Sequence, residues 1–568
     1  MTKAQALDKA VDDYLSSLSS APPPALSDIE PKVLSLTYDE FDLHNAVCQK
    51  DERWQKPHTL APPQIGRLLL ALRQIRVISL CDGQFDPDYS PLAVYQTDGK
   101  HTGTYTTSET AVKQLIREIS PYLKGYDLAD TLEWLRMNAP VVPRCADPDL
   151  IPVANGVFDY RQKTLLPFSP DLVFLTKSPV AYKKDPPLAV LRNPDDGTDW
   201  DVESWMSDLS DDPEIVLLFW QLIGAVIRPG VRWDKAAWLY SRSGNNGKGT
   251  LCSLMRSVAG PENCASISIE DFAGDKDFML EPLIRSSAII VDENNVGAYI
   301  DKSRDLKAVV TGDVIQINRK YKSPITYQFR GFMVQCLNDY PRIKDKTGSF
   351  ARRQLIVPME KCFTGAERKY IKSDYLKRPE VLEYVLHKVL HMDYNELSAP
   401  AACREVLEDY QESNDTLLQF VEDTFDQLQW SVVPFTFLYA LYKSWVEKMN
   451  PSGIRSLPSA RTFQDDLVAL METVDTGFVC PGGKRIKRRF PRGELYKPEP
   501  LIAAYNLTEW MNPVYKGDDP MKKCVPAPGM IPENIRGIRR FRPLNDPAFI
   551  DDDEDSNEPQ DPVEHNGA

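Results

Sequence analysis

The sequence predicts an α/β chain built round a mainly parallel sheet, and three stretches predict it. Ala236–Val258 (AAWLYSRSGNNGKGTLCSLMRSV) runs from a strand-length apolar stretch through a small, polar, Gly-containing loop into a helix pattern. In that helix Leu251, Leu254, Met255 and Val258 fall on one face. Ser287–Glu293 (SAIIVDE) is apolar and then ends in two carboxylates, as a strand buried on both faces does at the carboxyl edge of a parallel sheet. Strands then alternate with helical patterns to about Glu360, the order of an α/β domain.

The Gly244–Thr250 loop is suited to phosphate. Successive N–H groups of Gly244, Asn245, Asn246, Gly247, Lys248, Gly249 and Thr250, together with a helix N-terminus, point at anionic oxygens, and Lys248 adds a mobile cation. The reading is an ATP site. Arg242 stands where a Gly is usual before the lysine, and Gly249 stands where a metal-binding Ser or Thr usually follows it. A plain Gly-rich turn between strand and helix is the alternative for this stretch alone.

Composition bounds the rest. A chain of 568 residues has room for three or four domains. It is 42% hydrophobic and 26% charged, with a net charge of −15. Any contact with nucleic acid must therefore be a local basic patch. The ten cysteines show no metal-ligand spacing, which fits reduced thiols and a cytoplasmic protein. No signal segment is read, and Ile215–Ile227 is too short to span a bilayer, so no membrane partner is expected.

In order, Ala4–Leu18 predicts an amphipathic helix ended by Pro22–Pro24, and Pro63–Leu80 and Ser108–Leu123 predict further helices. Ile151–Tyr182 reads as β segments broken by Asn-Gly and Ser-Pro turns. Lys183–Trp200, rich in Pro and Asp, is read as a linker. Val202–Ile227 is mostly helical. His44 and His58 stand alone and read as structural.

Asp292 can hold Mg²⁺, and Glu293 can polarise a water for attack on a γ-phosphate; an acidic loop that merely follows a core strand is the alternative. Gly331–Asn338 is a second apolar strand, whose terminal Asn338 either senses that phosphate or simply ends the strand. Thr311–Phe329 predicts a hairpin, Val314–Ile317 with Ile325–Phe329, and Arg319, Lys320, Tyr321 and Lys322 at its tip. These suit a single-strand backbone and a stacked base, though a solvated charged hairpin fits the segment equally well. Arg352 and Arg353 precede the next apolar run; they are either a solvated edge or cations for a neighbouring subunit's phosphate.

The ordered set GNNGKGT, IIVDEN, TGDVIQINRKYK, VQCLND and RRQLIVP resembles the superfamily 3 helicase domain of phage, plasmid and poxvirus-type primase-helicases. The resemblance runs from about Val153 to Glu422 and takes in NGVFDYRQKTLLPFSP and EDYQESNDTLLQFVED. It implies an AAA+-like core, ATP and Mg²⁺, and a homo-hexameric ring moving 3′ to 5′ on single-stranded DNA. Carried over, Lys248 binds phosphates, Asp292 with Thr250 binds the metal and Glu293 is the catalytic carboxylate. Asn338 is the sensor, Lys320 and Lys322 face the DNA channel, and Arg353 is preferred over Arg352 as the trans-acting finger.

Downstream, helices at Phe435–Val446 and Ser459–Val474 precede GFVCPGGKRIKRRFPRGELY, where Lys484, Arg485, Lys487, Arg488 and Arg489 suggest the wing of a winged helix; a basic hairpin that only aids solubility is the alternative. The expected plan is a mixed α+β region at 1–182 without a primase core, a linker at 183–200, and a helical collar with the ATPase at 201–425. A winged-helix domain at 426–540 and an acidic disordered tail at 541–568 complete it. The leading expectation is an ATP-driven replicative helicase of a phage or mobile element, acting on single-stranded and forked DNA beside a separate primase or polymerase. An origin-binding initiator or loader is the alternative, and a packaging or remodelling ATPase a weaker third.

Overall fold

The computed structural model describes residues 1–18, 24–83, 89–194, 196–272, 278–295, 299–300, 303–320, 322–343, 348–365, 368–414, 416–449, 457–471, 475–480, 495, 497–527 and 536–540. They form two compact units, Met1–Gln411 and Glu412–Ala568.

The first unit opens with helices Lys3–Ser17, Ile29–Asn45 and Pro62–Leu72. Thr2 and Gln5 cap the first of these reciprocally. The helix expected to run from Pro63 to Leu80 stops at Leu72, and Ile75–Ser79 is instead a strand. Its β-branched Ile75, Val77 and Ile78 are buried in a four-stranded sheet with Leu92–Tyr95, Tyr105–Thr106 and Val141–Pro143. A three-stranded antiparallel sheet follows, Leu150–Val153, Gly156–Asp159 and Thr164–Leu166, the first of its two turns lying at the Asn155-Gly156 signal. The stretch expected as a linker, 183–200, carries a short strand pair, Leu191–Arg192 with Asp199–Trp200, and Leu191 and Trp200 are buried in the main core.

The central sheet holds β1 (Ala236–Tyr240), β2 (Cys264–Ala265), β3 (Ala288–Val291), β6 (Phe332–Leu337) and β7 (Gln354–Pro358); a hairpin of β4 (Val314–Arg319) and β5 (Lys322–Gln328) is inserted between β3 and β6. Its order is β2-β3-β6-β1-β7, and every neighbouring pair is parallel. Burial on both faces explains the apolar runs of β1, β3 and β6, the last interrupted only by the buried Gln335. Helix α1 (Lys248–Ala259) packs on β3 and β6, burying Leu251, Leu254, Met255 and Val258 as their spacing predicts.

The hairpin root is tied to the N-terminal sheet. Arg144 donates to the carbonyls of Leu80 and Gln328, at 2.7 and 2.8 Å, and Arg330 donates to the Cys145 carbonyl and pairs with Asp82.

In the second unit, helices Thr416–Thr424, Phe435–Met449 and Ala460–Met471 accompany a three-stranded antiparallel sheet in the order Val432–Pro434, Gly537–Arg540, Phe478–Val479. Trp430, Phe420, Phe437 and Phe463 are buried in its core. Among the described residues no helix is long and apolar enough to cross a membrane.

Candidate nucleotide site

The site lies at the carboxyl edge of the central sheet. β1 enters the loop at Ser241, and two left-handed residues, Asn245 (φ 55°) and Gly247 (φ 86°), bend it before α1 begins at Lys248. Alternating hands of this kind turn successive N–H groups into one anion-binding concavity. Gly247 is required twice over. Its φ is one that L side chains avoid, and a Cβ there would lie 2.7 Å from Leu209 Cδ2. Asn246 is buried and donates to the Ser243 carbonyl at 2.5 Å, closing the loop on itself.

Lys248 is buried and reaches back over this loop. Its Nζ donates to Asn338 Oδ1 at 2.8 Å and to the Ser241 carbonyl at 3.2 Å. Burial pushes its pKa below the ordinary lysine value, and among the described residues no carboxylate contributes to hold the charge. Asn338 follows β6 directly, so the lysine and the expected sensor meet in one cleft. The strand bearing the two acids is not adjacent to β1, because β6 lies between β3 and β1.

Asp292 and Glu293 leave the end of β3. Asp292 is half-buried, and Glu293 is exposed. The Asp292 carboxylate accepts from Arg256 Nη1 at 2.7 Å, while Arg256 Nη2 donates to the Ile290 carbonyl at 2.8 Å. Arg256, on the helix that starts with Lys248, was not read as a site residue; its place on the third turn of α1 was the only signal. Asn294 fixes the bend after the acids by donating to Gln335 Oε1 and the Cys336 carbonyl, both at 3.0 Å.

For Mg²⁺ the protein offers Asp292 and the half-buried Thr250 hydroxyl; among the described residues no group of three or more His, Cys, Asp or Glu could hold a metal. One carboxylate and one hydroxyl fit an ion that takes its remaining ligands from substrate phosphate and water. A segment after β7 also closes on the loop. The Phe363 N–H donates to the Asn245 carbonyl at 2.8 Å, and Asn245 Nδ2 to Thr364 Oγ1 at 3.3 Å.

The two candidate finger arginines part company. Arg353 is half-buried and donates to the carbonyl and hydroxyl of Ser349, at 2.5 and 2.7 Å, whereas Arg352 is exposed. The sequence preference for Arg353 meets a guanidinium already engaged within its own subunit.

On the hairpin, Arg319 is half-buried and lines a cavity of about 400 Å³ with Tyr89, Glu281 and Leu80; burial lowers its pKa. Lys320 is exposed at the tip. Tyr321, the side chain of Lys322, and Lys484, Arg485, Lys487, Arg488 and Arg489 lie outside the described residues. So does the tail at 541–568.

Residues 38–210 match the family model described as D5 N terminal like, and residues 412–494 match Poxvirus D5 protein-like. Over these two segments the chain is similar to D5-type primase-helicases. Between those matches, residues 239–353 fit a family of unknown function, DUF5906. That span runs from the end of β1 to Arg353 and holds Lys248, Arg256, Asp292, Glu293 and Asn338, but not the Phe363–Thr364 segment that closes on the loop. The D5 N-terminal match begins well before Val153, so the family likeness extends further upstream than the sequence motifs suggested. Among solved structures, the chain is similar to the NrS-1 C terminal region at 14% identity, over 85% of this chain and 99% of that one, with a TM-score of 0.41. It is also similar to the JCV helicase at 14% identity, over 39% of this chain and 62% of that one, with a TM-score of 0.25.

Proposed function

We propose that this chain is an ATP-driven DNA helicase of a replication system, working as a homo-oligomeric ring on single-stranded DNA. The observation that carries the reading is the meeting of Lys248 and Asn338 at 2.8 Å, at the sheet edge where Asp292 and Glu293 also emerge. A lysine, an amide and two carboxylates at one edge make up a phosphoryl-transfer set.

In this reading the bent loop and Lys248 take the phosphate chain, and Asp292 with Thr250 would hold Mg²⁺, which neutralises phosphate charge when bound. Glu293 is exposed, and as an acid in reach of solvent it orients the attacking water. Asn338 exchanges its bond to Lys248 for one to the γ-phosphate, so the end of β6 reports whether that group is present. The hairpin lies immediately before β6 in the chain, linking that report to Lys320 at its tip. Arg352, exposed before β7, is the better trans-acting finger, because Arg353 is held by Ser349.

The second unit is proposed to grip DNA as a winged helix. Its succession of helix, strand, two helices and strand, with Gly537–Arg540 paired between the other two strands, supports this. The proposed domain plan keeps the N-terminal region free of a primase core, which calls for a separate primase or polymerase, and sets the winged helix downstream of Gln411.

The test is DNA-stimulated ATPase activity and unwinding of a forked duplex. Lys248→Ala is expected to lose both. Lys320→Ala/Lys322→Ala is expected to lose unwinding and the stimulation by DNA while keeping basal hydrolysis. Site-specific duplex binding with no unwinding by wild type would favour the initiator reading instead.

A further inference from the structure

Gly249 occupies a position where phosphate loops usually carry a hydroxyl, and its bare backbone stands beside a lysine from further along the chain. A Cβ built on Gly249 would lie 3.3 Å from Lys372 Nζ, tighter than ordinary contact, so a side chain there would have to displace the ammonium. Lys372 comes from helix α2 (Lys369–Ser373), which packs against α1 and whose Ile371 is buried in the main core. The helix is therefore anchored, while the exposed Lys372 extends to the first turn of α1. Among the described residues it has no carboxylate partner.

We infer that Lys372 is a second lysine of the nucleotide site, bonding the phosphate chain directly from a segment downstream of the sheet. The inference rests on the reading that the Gly244–Thr250 loop holds a nucleotide. Two observations carry it. The ammonium stands beside the helix N-terminus that would receive the phosphates, where an anion gains from both the helix dipole and a charge-assisted bond. In addition, the chain forgoes a side chain at 249, which leaves that space to the lysine. A phosphate contact made by an ammonium needs no metal, so this contribution persists when divalent ions are removed.

The experiment is a fluorescence titration of full-length chain with N-methylanthraniloyl-ADP, once in Mg²⁺ and once in EDTA. Lys372→Ala is expected to weaken binding about tenfold in both buffers, the size of one lost charge-assisted bond. Lys372→Arg is expected to stay within about threefold of wild type, since a guanidinium also binds phosphate. The nucleotide-free melting temperature should be the same in all three proteins. Wild-type affinity in Lys372→Ala, with binding lost in Lys248→Ala, would overturn this inference and leave the nucleotide site standing. An equal loss in Lys372→Ala and Lys372→Arg would also overturn it, since helix packing rather than charge would then be at work. Wild-type affinity in Lys248→Ala would remove the nucleotide site itself.

Discussion

Arg256 Nη1 lies 2.7 Å from Asp292 Oδ1, joining the phosphate-loop helix to the strand that ends in the acid pair. The two side chains are 26% and 38% exposed, so the pair contributes about 1 kcal/mol or less to stability. Its larger effect is on what Asp292 can hold. Under the proposed function the guanidinium would compete with a metal ion for the carboxylate, and its second bond to the Ile290 carbonyl holds the guanidinium in place.

Arg256→Ala is therefore expected to lower the Mg²⁺ concentration for half-maximal ATPase activity a few-fold and to reduce kcat, with little change in melting temperature. A Mg²⁺ titration of steady-state hydrolysis checks this. A higher Mg²⁺ requirement in the variant would contradict the competition.

The arginine pair before β7 gives opposite phenotypes. Arg353→Ala removes two bonds to Ser349 and should cost about 1 to 3 kcal/mol, read by denaturant unfolding. Arg352→Ala, at an exposed position, should leave unfolding unchanged and suppress ATPase only in the assembled form. Mixing Arg352→Ala with Lys248→Ala subunits should then restore partial activity, because each supplies what its neighbour lacks.

Gly247→Ala should fail at the loop. The alanine would have to adopt φ near 86° with its Cβ against Leu209, a strain of about 1 to 3 kcal/mol. Loss of nucleotide binding with a lowered melting temperature is the expected outcome of calorimetry.

A histidine pair sets an acid limit on stability. His387 and His391 stack at 4.2 Å, and the Tyr182 hydroxyl lies 3.0 Å from His391 Nε2. Burial, as the main cause, holds both imidazoles below their ordinary value of 6.5; for His387 this outweighs Asp185 at 3.6 Å. A depressed imidazole pKa means that the unfolded chain binds protons first as pH falls below 6.5. The stability from these neutral rings is thus present above that pH and lost below it. His387→Gln/His391→Gln should shrink the drop in melting temperature between about pH 7.5 and about pH 5.5. An undiminished drop would assign the acid loss to other groups.

Local patterns made the site legible. The loop, the acids after β3 and the amide after β6 each sit where an apolar run ends, and such boundaries show in a few residues of sequence. Arg256 and Lys372 were not legible, because each meets its neighbour from far along the chain: Arg256 pairs with an acid 36 residues away, and Lys372 lies beside Gly249. The order of the sheet was equally hidden, since nothing local says that β6 inserts between β3 and β1. The over-long helix at Pro63–Leu80 has a plain cause. Its apolar positions continue through Ile75–Ser79, and only the β-branched residues there mark a strand. The supposed linker failed for the converse reason: Pro and Asp concealed Leu191 and Trp200, whose burial holds that stretch in the core.

The most direct measurement of the central claim compares ATP binding with turnover in Glu293→Gln. If Glu293 orients water in a cleft where Lys248 grips the phosphates, the variant binds a fluorescent ATP analogue as wild type does, while DNA-stimulated hydrolysis falls by about 100-fold or more. Turnover within a few-fold of wild type would contradict the account.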